Sequence, residues 1–420
     1  MIFTSLSPNT QKDDTDLVFK VLTKFSVFNK GGYVKELKKW FKKFFYVKYV
    51  SCYESARTAL YFILKEMGIK ENDEVAIQAF TCIAAVNPIK WIKAKPVFID
   101  INPKNFNMDF DDLIDKVNGK TKAIIFQHTF GCPDEIEKVL EFAKGKKIYL
   151  IEDCAHTIGT EYKGKKLGTI GDASIFSLGR DKAISGSSGG VAVSKNRKLG
   201  KRLEEGEKFL SNVSLKWIKR QLLYTIIAFY TRKFYDTFLL GKLIHFLAYK
   251  FNLIDKGTTF EEKTKGAIPF FAKSCMPEMF AYTALNQLKK IPKINKKRLE
   301  IMNFYFDKLK SLKNPNITLP LWETHEGFYP LRFPLLVKKR NEFINFAYEK
   351  GVLLGDWYDK PVAPKEVNMF EAGYKTGSCP NAEKVCEEII NLPIHINLSD
   401  KDLEKTVKII EDFYNIFKIN

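Results

Sequence analysis

Two residues near the middle of the sequence have side chains suited to one kind of cofactor chemistry. Asp153 ends the apolar stretch "IYLIED", and Lys182 follows a further apolar stretch, "ASIFSL". Considered singly, Asp153 could be a helix cap and Lys182 a solvated surface charge. Considered together, they are the pair that pyridoxal phosphate requires, because a desolvated lysine amine binds its aldehyde and an acid keeps its ring nitrogen protonated.

A bound pyridoxal phosphate also needs an anion site, and "CYESARTALYFILKEMG" offers one. Ser55 is placed as the N-cap of an amphipathic helix, so the amides of Ala56 and Arg57 would point at an anion. The Arg57 side chain could add positive charge, and Ser177, just before Lys182, could donate a hydroxyl group. The alternative is an ordinary capped helix without a ligand.

The segments around these candidates alternate between strand-like and helix-like patterns. Between about 45 and 195, apolar runs such as "DEVAIQA", "KPVFIDI" and "TKAIIFQH" alternate with amphipathic stretches. This alternation predicts a mainly parallel α/β sheet, in which ligands bind at the carboxyl ends of the strands. The polar residues that follow the strands are His128, Asp153, His156, Ser177 and Lys182.

The overall composition is that of a folded chain that is long enough for more than one domain. It has 420 residues, of which 45% are apolar, and seven cysteines scattered without a C-x-x-C pair. We therefore expect no metal site, no disulfide framework and, since no secretory signal is visible, a cytoplasmic location. The net charge of +19 is spread along the chain without a nucleic-acid-binding motif, so we expect no nucleic-acid partner.

The segment 201–265 differs in composition from its flanks. Between 209 and 250 it has seven Lys or Arg residues and one acidic residue, and its longest charge-free run has eleven residues. That run is too short to span a bilayer, which needs about 20. We expect helices whose apolar side packs against the protein; the alternative, which we do not favour, is a membrane-surface contact. The residues of that side are Leu222, Ile226, Phe229 and Leu240.

The same stretches resemble a known family. The sequence is similar to the fold-type I pyridoxal-phosphate aminotransferases of the DegT/DnrJ/EryC1/StrS family, the sugar aminotransferases, over most of its length except about 200–265. The matching pieces, in order, are "SLSPNTQKDD", "SARTAL", "DEVAIQAFTC", "KPVFIDINPKNFNMD", "AIIFQHTFGCP", "IEDCAHTIGTEYKGKKLGTIGDASIFSLGRDK", "GGVAVS" and "NLPIHINLSDKDLEK".

The resemblance implies roles for individual residues. Lys182 matches the lysine that carries the cofactor, and Asp153 matches the acid at the pyridine nitrogen. His156 stands where the family has Gln or His against the cofactor ring, and Ser177 matches a phosphate-binding serine. Ala56 and Arg57, which follow the N-cap Ser55, match the Gly-Thr whose amides hold the phosphate.

Three positions depart from the family pattern. Cys82 stands where the family often has a Phe or Trp that stacks on the cofactor ring. Lys273 aligns near the Asn that reaches the phosphate of the neighbouring subunit, and Cys275 aligns near the following Arg. The interval from Lys182 to Gly189 is one residue shorter than expected.

The resemblance implies an aminotransferase that moves an amino group from an amino acid, expected to be glutamate, to a keto-sugar nucleotide. Cell-surface polysaccharide or deoxyamino-sugar biosynthesis would use such a product. The alternatives are a lyase or dehydratase acting on a sugar nucleotide and a non-catalytic regulatory or membrane-associated homologue. We expect a homodimer whose sites are completed by the partner subunit.

The expected organisation has three parts. Residues 1–200 form a large pyridoxal-phosphate-binding α/β domain with an N-terminal segment, 201–265 form a helical basic insertion, and 266–420 form a smaller C-terminal α/β domain.

Overall fold

A computed structural model describes residues 1–237, 240–322 and 327–416. Its helices are α1 (Lys12–Thr23), α2 (Phe25–Phe28), α3 (Tyr33–Phe45), α4 (Ala56–Glu66), α5 (Ile83–Trp91), α6 (Phe110–Lys116), α7 (Ile136–Lys146), α8 (Arg197–Glu207), α9 (Leu215–Lys233), α10 (Leu240–Lys250), α11 (Phe260–Lys265), α12 (Glu278–Leu288), α13 (Ile291–Ser311), α14 (Arg340–Glu349), α15 (Pro380–Glu388) and α16 (Asp400–Ile416). Its strands are β1 (Ile2–Phe3), β2 (Tyr49–Tyr53), β3 (Glu74–Gln78), β4 (Thr81–Cys82), β5 (Lys95–Ile99), β6 (Thr121–Gln127), β7 (Tyr149–Asp153), β8 (Glu161–Tyr162), β9 (Lys165–Lys166), β10 (Ala173–Ser177), β11 (Gly190–Ser194), β12 (Ile317–Thr318), β13 (Phe333–Val337), β14 (Val352–Leu353), β15 (Val362–Ala363) and β16 (Ile389–Leu392).

The centre of the fold is a seven-stranded sheet in the order β2-β11-β10-β7-β6-β3-β5. The five strands from β10 to β5 run parallel to one another, whereas β11 is antiparallel to both of its neighbours. Parallel strands of this kind are apolar along their length because helices cover both faces of the sheet. The predicted α/β fold with a mainly parallel sheet is thus confirmed.

The two faces of the sheet belong to different parts of the core, because successive residues of a strand point in opposite directions. On β10, Ile175 packs in the cluster that contains Leu60 of α4, whereas Phe176 packs in the cluster that contains Phe41 of α3. The side chains of the strands are therefore used by the core. Only the residues at the carboxyl ends are left to contact a ligand.

The register of the strands brings these carboxyl ends to one edge. Gln127, the last residue of β6, pairs with Asp153, the last residue of β7. Asp153 in turn pairs with Ile175, so that Ser177 lies two residues farther along β10. The loop between Ser177 and Gly190 carries Lys182 and begins at this same edge.

A smaller sheet of three antiparallel strands, β12-β13-β16, lies in the C-terminal part of the chain. Phe333 of β13 and Phe413 of α16 belong to the same core cluster as Leu60 of α4. The C-terminal part therefore shares a core with a helix that packs on the main sheet. The N-terminal strand β1 pairs in parallel with β14, with Ile2 opposite Val352. The first residues of the chain therefore contact the C-terminal part, although the sequence grouped them with the first 200 residues.

The basic segment between 201 and 265 is helical, as expected, and its two main helices differ in burial. On α9, Leu222 is fully buried and Ile226 and Phe229 are half-buried, which agrees with packing against the protein. On α10, Leu240 is 42% exposed and Phe246 is 61% exposed, so the outer side of this helix is open. None of the described helices combines the length and the apolar character that crossing a membrane would require.

Candidate active site

A cavity of about 570 Å³ opens at the carboxyl ends of the strands. Its volume falls in the range of about 300–1,000 Å³ that is usual for small-molecule sites. With one exception, Lys273, it brings together the residues that the sequence singled out for cofactor binding. Those that line it are Ser55, Ala56, Arg57, Cys82, Asp153, His156, Ser177 and Lys182.

Asp153 is buried at the end of β7 and lines the cavity. One carboxylate oxygen, Oδ1, accepts a hydrogen bond of 2.9 Å from the amide of Ala155, and no described residue donates to Oδ2. Burial raises the pKa of Asp153, while the Ala155 amide and the charge of Lys182 act in the opposite direction. A cationic ring nitrogen in the cavity would supply the partner that this carboxylate lacks.

Lys182 is half-buried, and its Nζ lies 4.6 Å from the centre of the Trp357 ring. Burial lowers the pKa of Lys182, partly opposed by Cys82 and Asp153. No described residue forms an ion pair with its ammonium within 4.0 Å. The unprotonated amine is the nucleophilic form of lysine, so this environment favours covalent attachment of an aldehyde.

His156 is buried beside the cavity, and both of its ring nitrogens have partners. Nδ1 accepts a hydrogen bond of 3.1 Å from the amide of Phe130, so the neutral ring carries its proton on Nε2 and donates it to the Tyr358 hydroxyl at 3.0 Å. Burial, with the charges of Lys182 and Arg332, lowers the pKa of His156 well below its usual range. His156 is therefore held neutral and oriented, which suits contact with a ring better than proton transfer.

The N-terminus of α4, where the sequence predicts an anion site, lies at the cavity. Ser55 is its N-cap, with its Oγ accepting from the amide of Thr58 at 3.4 Å and donating to Glu54 at 2.8 Å. The start of β11 lies directly against this helix end, because a Cβ on Gly190 would fall 2.2 Å from the amide nitrogen of Ala56. The amides of the first turn, the Ser177 hydroxyl and Lys182 therefore face one cavity, and this donor set fits pyridoxal phosphate.

The charge of Arg57 is used elsewhere, which corrects the expectation that it would act on the phosphate. Its Nη1 forms a buried ion pair of 2.6 Å with Glu262, and its Nη2 donates to the carbonyl of Gly257 at 3.0 Å. The guanidinium also lies over the ring of Phe271. Arg57 can contribute its backbone amide to the anion site, while its side chain fastens the segment around α11 to α4.

Lys273 does not reach the cavity of its own chain. Its amide donates to the Thr58 hydroxyl at 3.2 Å, and its Nζ lies 4.3 Å from the centre of the Tyr61 ring. The expectation that Lys273 reaches the phosphate of the neighbouring subunit stays a prediction.

Aromatic residues reach the site from a part of the chain that sequence reasoning missed. The short strand β15 pairs with β4, with Ala363 opposite Cys82, and this pairing brings Trp357 and Tyr358 to the cavity. Trp357 packs almost parallel to His156, with ring centres 5.5 Å apart. An aromatic surface is thus present although the residue after Thr81 is not aromatic. The adjacent aromatic pair in "GDWYDKP" was the available signal.

The basic insertion also contributes to the cavity, which the sequence did not indicate. Side chains from α9, α10 and the following loop form its outer wall, together with Arg180 from the loop that carries Lys182. These lining residues include Arg180, Gln221, Tyr224, Tyr249 and Lys256, and α11 adds Lys263.

His128 has a structural environment rather than a place in the cavity. Its Nε2 lies 3.0 Å from Oε2 of Glu152, and both side chains are fully buried. Their polar atoms lie within 4.8 Å of the Cys154 sulfur, a spacing compatible with a metal ion. However, the carboxylate of Glu152 already accepts hydrogen bonds from the amides of Gly168, Ile170 and Gly171. Glu152 is thus a saturated acceptor that ties β7 to the following loop, whereas the buried Nδ1 of His128 has no hydrogen-bond partner among the described residues.

Known proteins resemble this chain at the levels of family, sequence and fold. The model of the DegT/DnrJ/EryC1/StrS aminotransferase family matches residues 8–232 and 247–411. The match includes most of the segment 201–265, which the sequence resemblance had excluded. GDP-perosamine synthase of Escherichia coli O157:H7 is 35% identical over 192 residues, which are 46% of this chain and 53% of that protein. The matched part thus spans about half of that relative.

Two further relatives match over most of their length. UDP-4-amino-4-deoxy-L-arabinose–oxoglutarate aminotransferase of Shewanella sediminis is 26% identical over 372 residues, covering 85% of this chain and 84% of that protein. The solved structure of ntda from Bacillus subtilis, which contains the bound cofactor pmp, has a TM-score of 0.74 at 20% identity and covers 99% of this chain and 85% of its own. The predicted fold class and the predicted pyridoxal phosphate cofactor are confirmed at the level of the family. The chain belongs to the DegT/DnrJ/EryC1/StrS aminotransferase family.

Proposed function

We propose that this protein is a pyridoxal-phosphate-dependent aminotransferase that moves an amino group from glutamate to a keto-sugar carried on a nucleoside diphosphate. The observation that carries the proposal is the meeting of Lys182, Asp153 and the N-terminus of α4 in one cavity. The names of the relatives support the substrate class, since GDP-perosamine synthase and the UDP-sugar aminotransferase are both named for sugar nucleotides. The second name also includes oxoglutarate, the keto acid that glutamate becomes on losing its amino group.

Different residues of the chain attach the cofactor, stabilise its charge and transfer protons. When bound, pyridoxal phosphate supplies an aldehyde that takes up an amino group and a ring that withdraws electrons from the neighbouring carbon. Lys182 holds this group covalently at rest. Once released, its Nζ takes a proton from the carbon that loses the amino group and returns one to the sugar carbon that receives it.

The other residues position the bound group. The Asp153 carboxylate keeps a proton on the ring nitrogen, and the buried surroundings strengthen that pairing. The amides of Ala56 and Arg57, with the hydroxyl of Ser177, bind the phosphate, and Ser55 caps the helix that presents these amides. His156 stays neutral and holds Tyr358, so the two side chains act as a fixed wall against the ring.

The presence of Lys182 argues against the dehydratase alternative, because the resemblance implies that a sugar dehydratase of this family lacks this lysine. A complete set of binding groups also argues against a scaffold without catalysis. We further propose a homodimer in which Lys273 serves the neighbouring subunit, which is supported by its position outside its own cavity. A cytoplasmic location is supported by the seven cysteines, all of which are free.

Borohydride reduction followed by peptide mapping tests the proposal. We expect a single phosphopyridoxyl label on Lys182, and we expect Lys182→Ala to remove the label and the visible absorbance band while the far-UV circular dichroism is unchanged. A label on a different lysine would refute the assignment. Incubation with glutamate and a panel of nucleotide keto-sugars, followed by mass spectrometry, then identifies the acceptor; a protein that keeps its band in glutamate is not an aminotransferase with this donor.

A further inference from the structure

The outer wall of the cavity carries positive charge that the cofactor does not use. The inner part of the cavity provides the anion site at α4 and the lysine for the aldehyde. Another part of its lining is formed by Arg180 and by side chains of the basic insertion. This part of the cavity is where a second anionic group would meet the protein.

Arg180 is fixed in place by neutral partners. Its Nη1 donates to the carbonyl of Asp255 at 3.0 Å, and its Nη2 donates to Oε1 of Gln221 at 3.0 Å. Its guanidinium lies 3.7 Å from the centre of the Tyr224 ring. A guanidinium has five N–H donors, so further donors remain after these two contacts.

The acidic residues near Arg180 are already engaged. Asp181 lines the cavity, and its Oδ1 accepts a hydrogen bond of 2.8 Å from the amide of Ser7. Asp255 forms an ion pair of 2.6 Å with Arg220, and its second oxygen accepts from Gln221 at 3.3 Å. None of the ion pairs among the described residues includes Arg180 or Lys256, and the side chain of Lys256 is exposed. The wall therefore presents two cations without an acidic partner at the mouth of the cavity.

Flat aromatic surface lies beside these cations. One face of Tyr224 is covered by Arg180. Tyr249 is half-buried in the cavity wall, where it packs against the apolar cluster that includes Ala228 and Ile254 and makes an edge contact of 5.0 Å with His245. A ring of this kind can stack on a nucleobase, because every base presents a flat π-face. Arg and Lys side chains are the residues that bind phosphate groups most strongly.

We propose that Arg180 and Lys256 bind the diphosphate of the sugar nucleotide and that Tyr249 packs against its base, all within one chain. This inference rests on the proposed function for the class of its ligand. It gives the basic insertion a role: α9 and α10 close the substrate cavity and supply its contacts to the nucleotide. Lys263 lies farther along the wall and is paired with Glu366 at 3.4 Å, so it is not included.

Calorimetric titration of the cofactor-loaded protein with GDP, UDP and dTDP tests the inference. We expect at least one of them to bind, and we expect Lys256→Ala to weaken that binding about tenfold, the effect of losing one charge-assisted contact. Lys250→Ala is the matched control, since Lys250 is an exposed lysine on α10 outside the cavity, and it should leave the affinity unchanged. Added salt should weaken binding more in the wild type than in Lys256→Ala.

Two variants test the aromatic contact. Tyr249→Phe should retain nucleotide affinity and Tyr249→Ala should reduce it, because the ring rather than the hydroxyl makes the contact. The inference is overturned if none of the three nucleotides binds the wild type, or if Lys256→Ala and Tyr249→Ala bind as tightly as the wild type. The visible cofactor band, recorded in every sample, shows that the site remains loaded.

The response to glutamate alone separates this inference from the proposed function. Loss of the visible band on adding glutamate needs no nucleotide, so it reports the first half of the proposed reaction independently. If the band responds to glutamate but the protein binds none of the nucleotides, only the inference about the nucleotide site is overturned. If the protein binds a nucleotide but does not respond to glutamate, the proposed reaction is overturned and the inference about the nucleotide site still holds.

Discussion

The amine of Lys182 lies 4.6 Å from the centre of the indole ring of Trp357, which reaches it from the C-terminal part of the chain. Two effects act on the amine. Contact with the ring favours the charged form by about 0.5–2 kcal/mol, whereas exclusion of water favours the neutral form. Burial is the main cause of the lowered pKa of Lys182, and the Trp357 ring takes part in keeping water from the amine.

Replacing Trp357 by Ala should therefore raise the pKa of Lys182, because water would reach the amine. The rate at which the cofactor-free protein attaches pyridoxal phosphate should reach its plateau at a higher pH than in the wild type. Visible absorbance at a series of pH values measures this rate. Trp357→Phe retains a covering ring and is the control with the smaller shift. A shift to lower pH in Trp357→Ala would mean that water exclusion by this ring is the weaker of the two effects.

Asp153→Asn should reduce turnover by about 100-fold or more while weakening cofactor binding much less. The amide cannot hold a proton on the ring nitrogen, and acid–base partners of this kind contribute about 10²–10⁴-fold to rates. Steady-state rates and the dissociation constant of pyridoxal phosphate, determined on the same preparations, separate the two effects. Equal turnover in the variant and the wild type would show that Asp153 only accepts the hydrogen bond from the Ala155 amide and has no part in the reaction.

Glu54 lies fully buried below the anion site, and burial raises its pKa to about 8. Its Oε1 accepts hydrogen bonds from the hydroxyls of Ser55 and Thr58, and its Oε2 accepts from the amide of Ser274 at 3.3 Å. An acid with a raised pKa in the folded state stabilises the fold while it is protonated. That stability is fully present below the unfolded pKa of about 4.3 and is lost as the pH rises through about 8.

Glu54→Gln should therefore be more stable than the wild type at alkaline pH, and the advantage should grow between about pH 6 and pH 9. The change is at most about 3 kcal/mol, since each pH unit below the folded pKa contributes about 1.4 kcal/mol. A glutamine can turn its oxygen to the Ser274 amide and its NH₂ group to the two hydroxyls. Urea unfolding of the cofactor-free proteins at about pH 6 and about pH 9 measures the difference in the free energy of unfolding between the variant and the wild type. A difference that does not change with pH would show that folding does not shift the pKa of Glu54.

The ion pair between Arg57 and Glu262 should matter for stability more than for phosphate binding. Arg57→Ala leaves the buried carboxylate of Glu262 without its partner, which should cost about 3–5 kcal/mol. Adding Glu262→Gln should recover much of that loss, because the amide is neutral and still accepts from the Thr259 amide. Urea unfolding of the single and double variants gives the coupling. If the double variant recovers its stability but loses much of its affinity for pyridoxal phosphate, the Arg57 side chain does act on the phosphate.

Mixing two inactive chains tests the shared site. Lys182→Ala lacks the cofactor lysine, and Lys273→Ala lacks the side chain that we propose to act on the neighbouring subunit. A mixed dimer has one site with both residues intact, so activity should return to a fraction of the wild-type level after subunit exchange. Native mass spectrometry verifies the exchange. Exchange without any return of activity would show that Lys273 does not complete the partner's site.

The alternation of apolar runs and helical patterns was enough to predict the parallel sheet and the edge at which Asp153 and Ser177 meet. Both features follow from local periodicity, since a strand that is buried on both faces leaves only its carboxyl end for polar residues. The N-cap at Ser55 was also predictable, because capping depends on residues within one turn.

Contacts between distant segments could not be inferred in the same way. The pairing of Arg57 with Glu262, the approach of Trp357 to Lys182 and the arrival of Tyr249 and Lys256 at the cavity join residues that are far apart in the chain. The type of a residue and its position in the sequence do not determine which distant group will neutralise its charge or cover its surface. The sequence by itself determined which residues could do chemistry, and the tertiary structure alone decided which charges remain free to meet a ligand, because that depends on the partners that packing brings within reach.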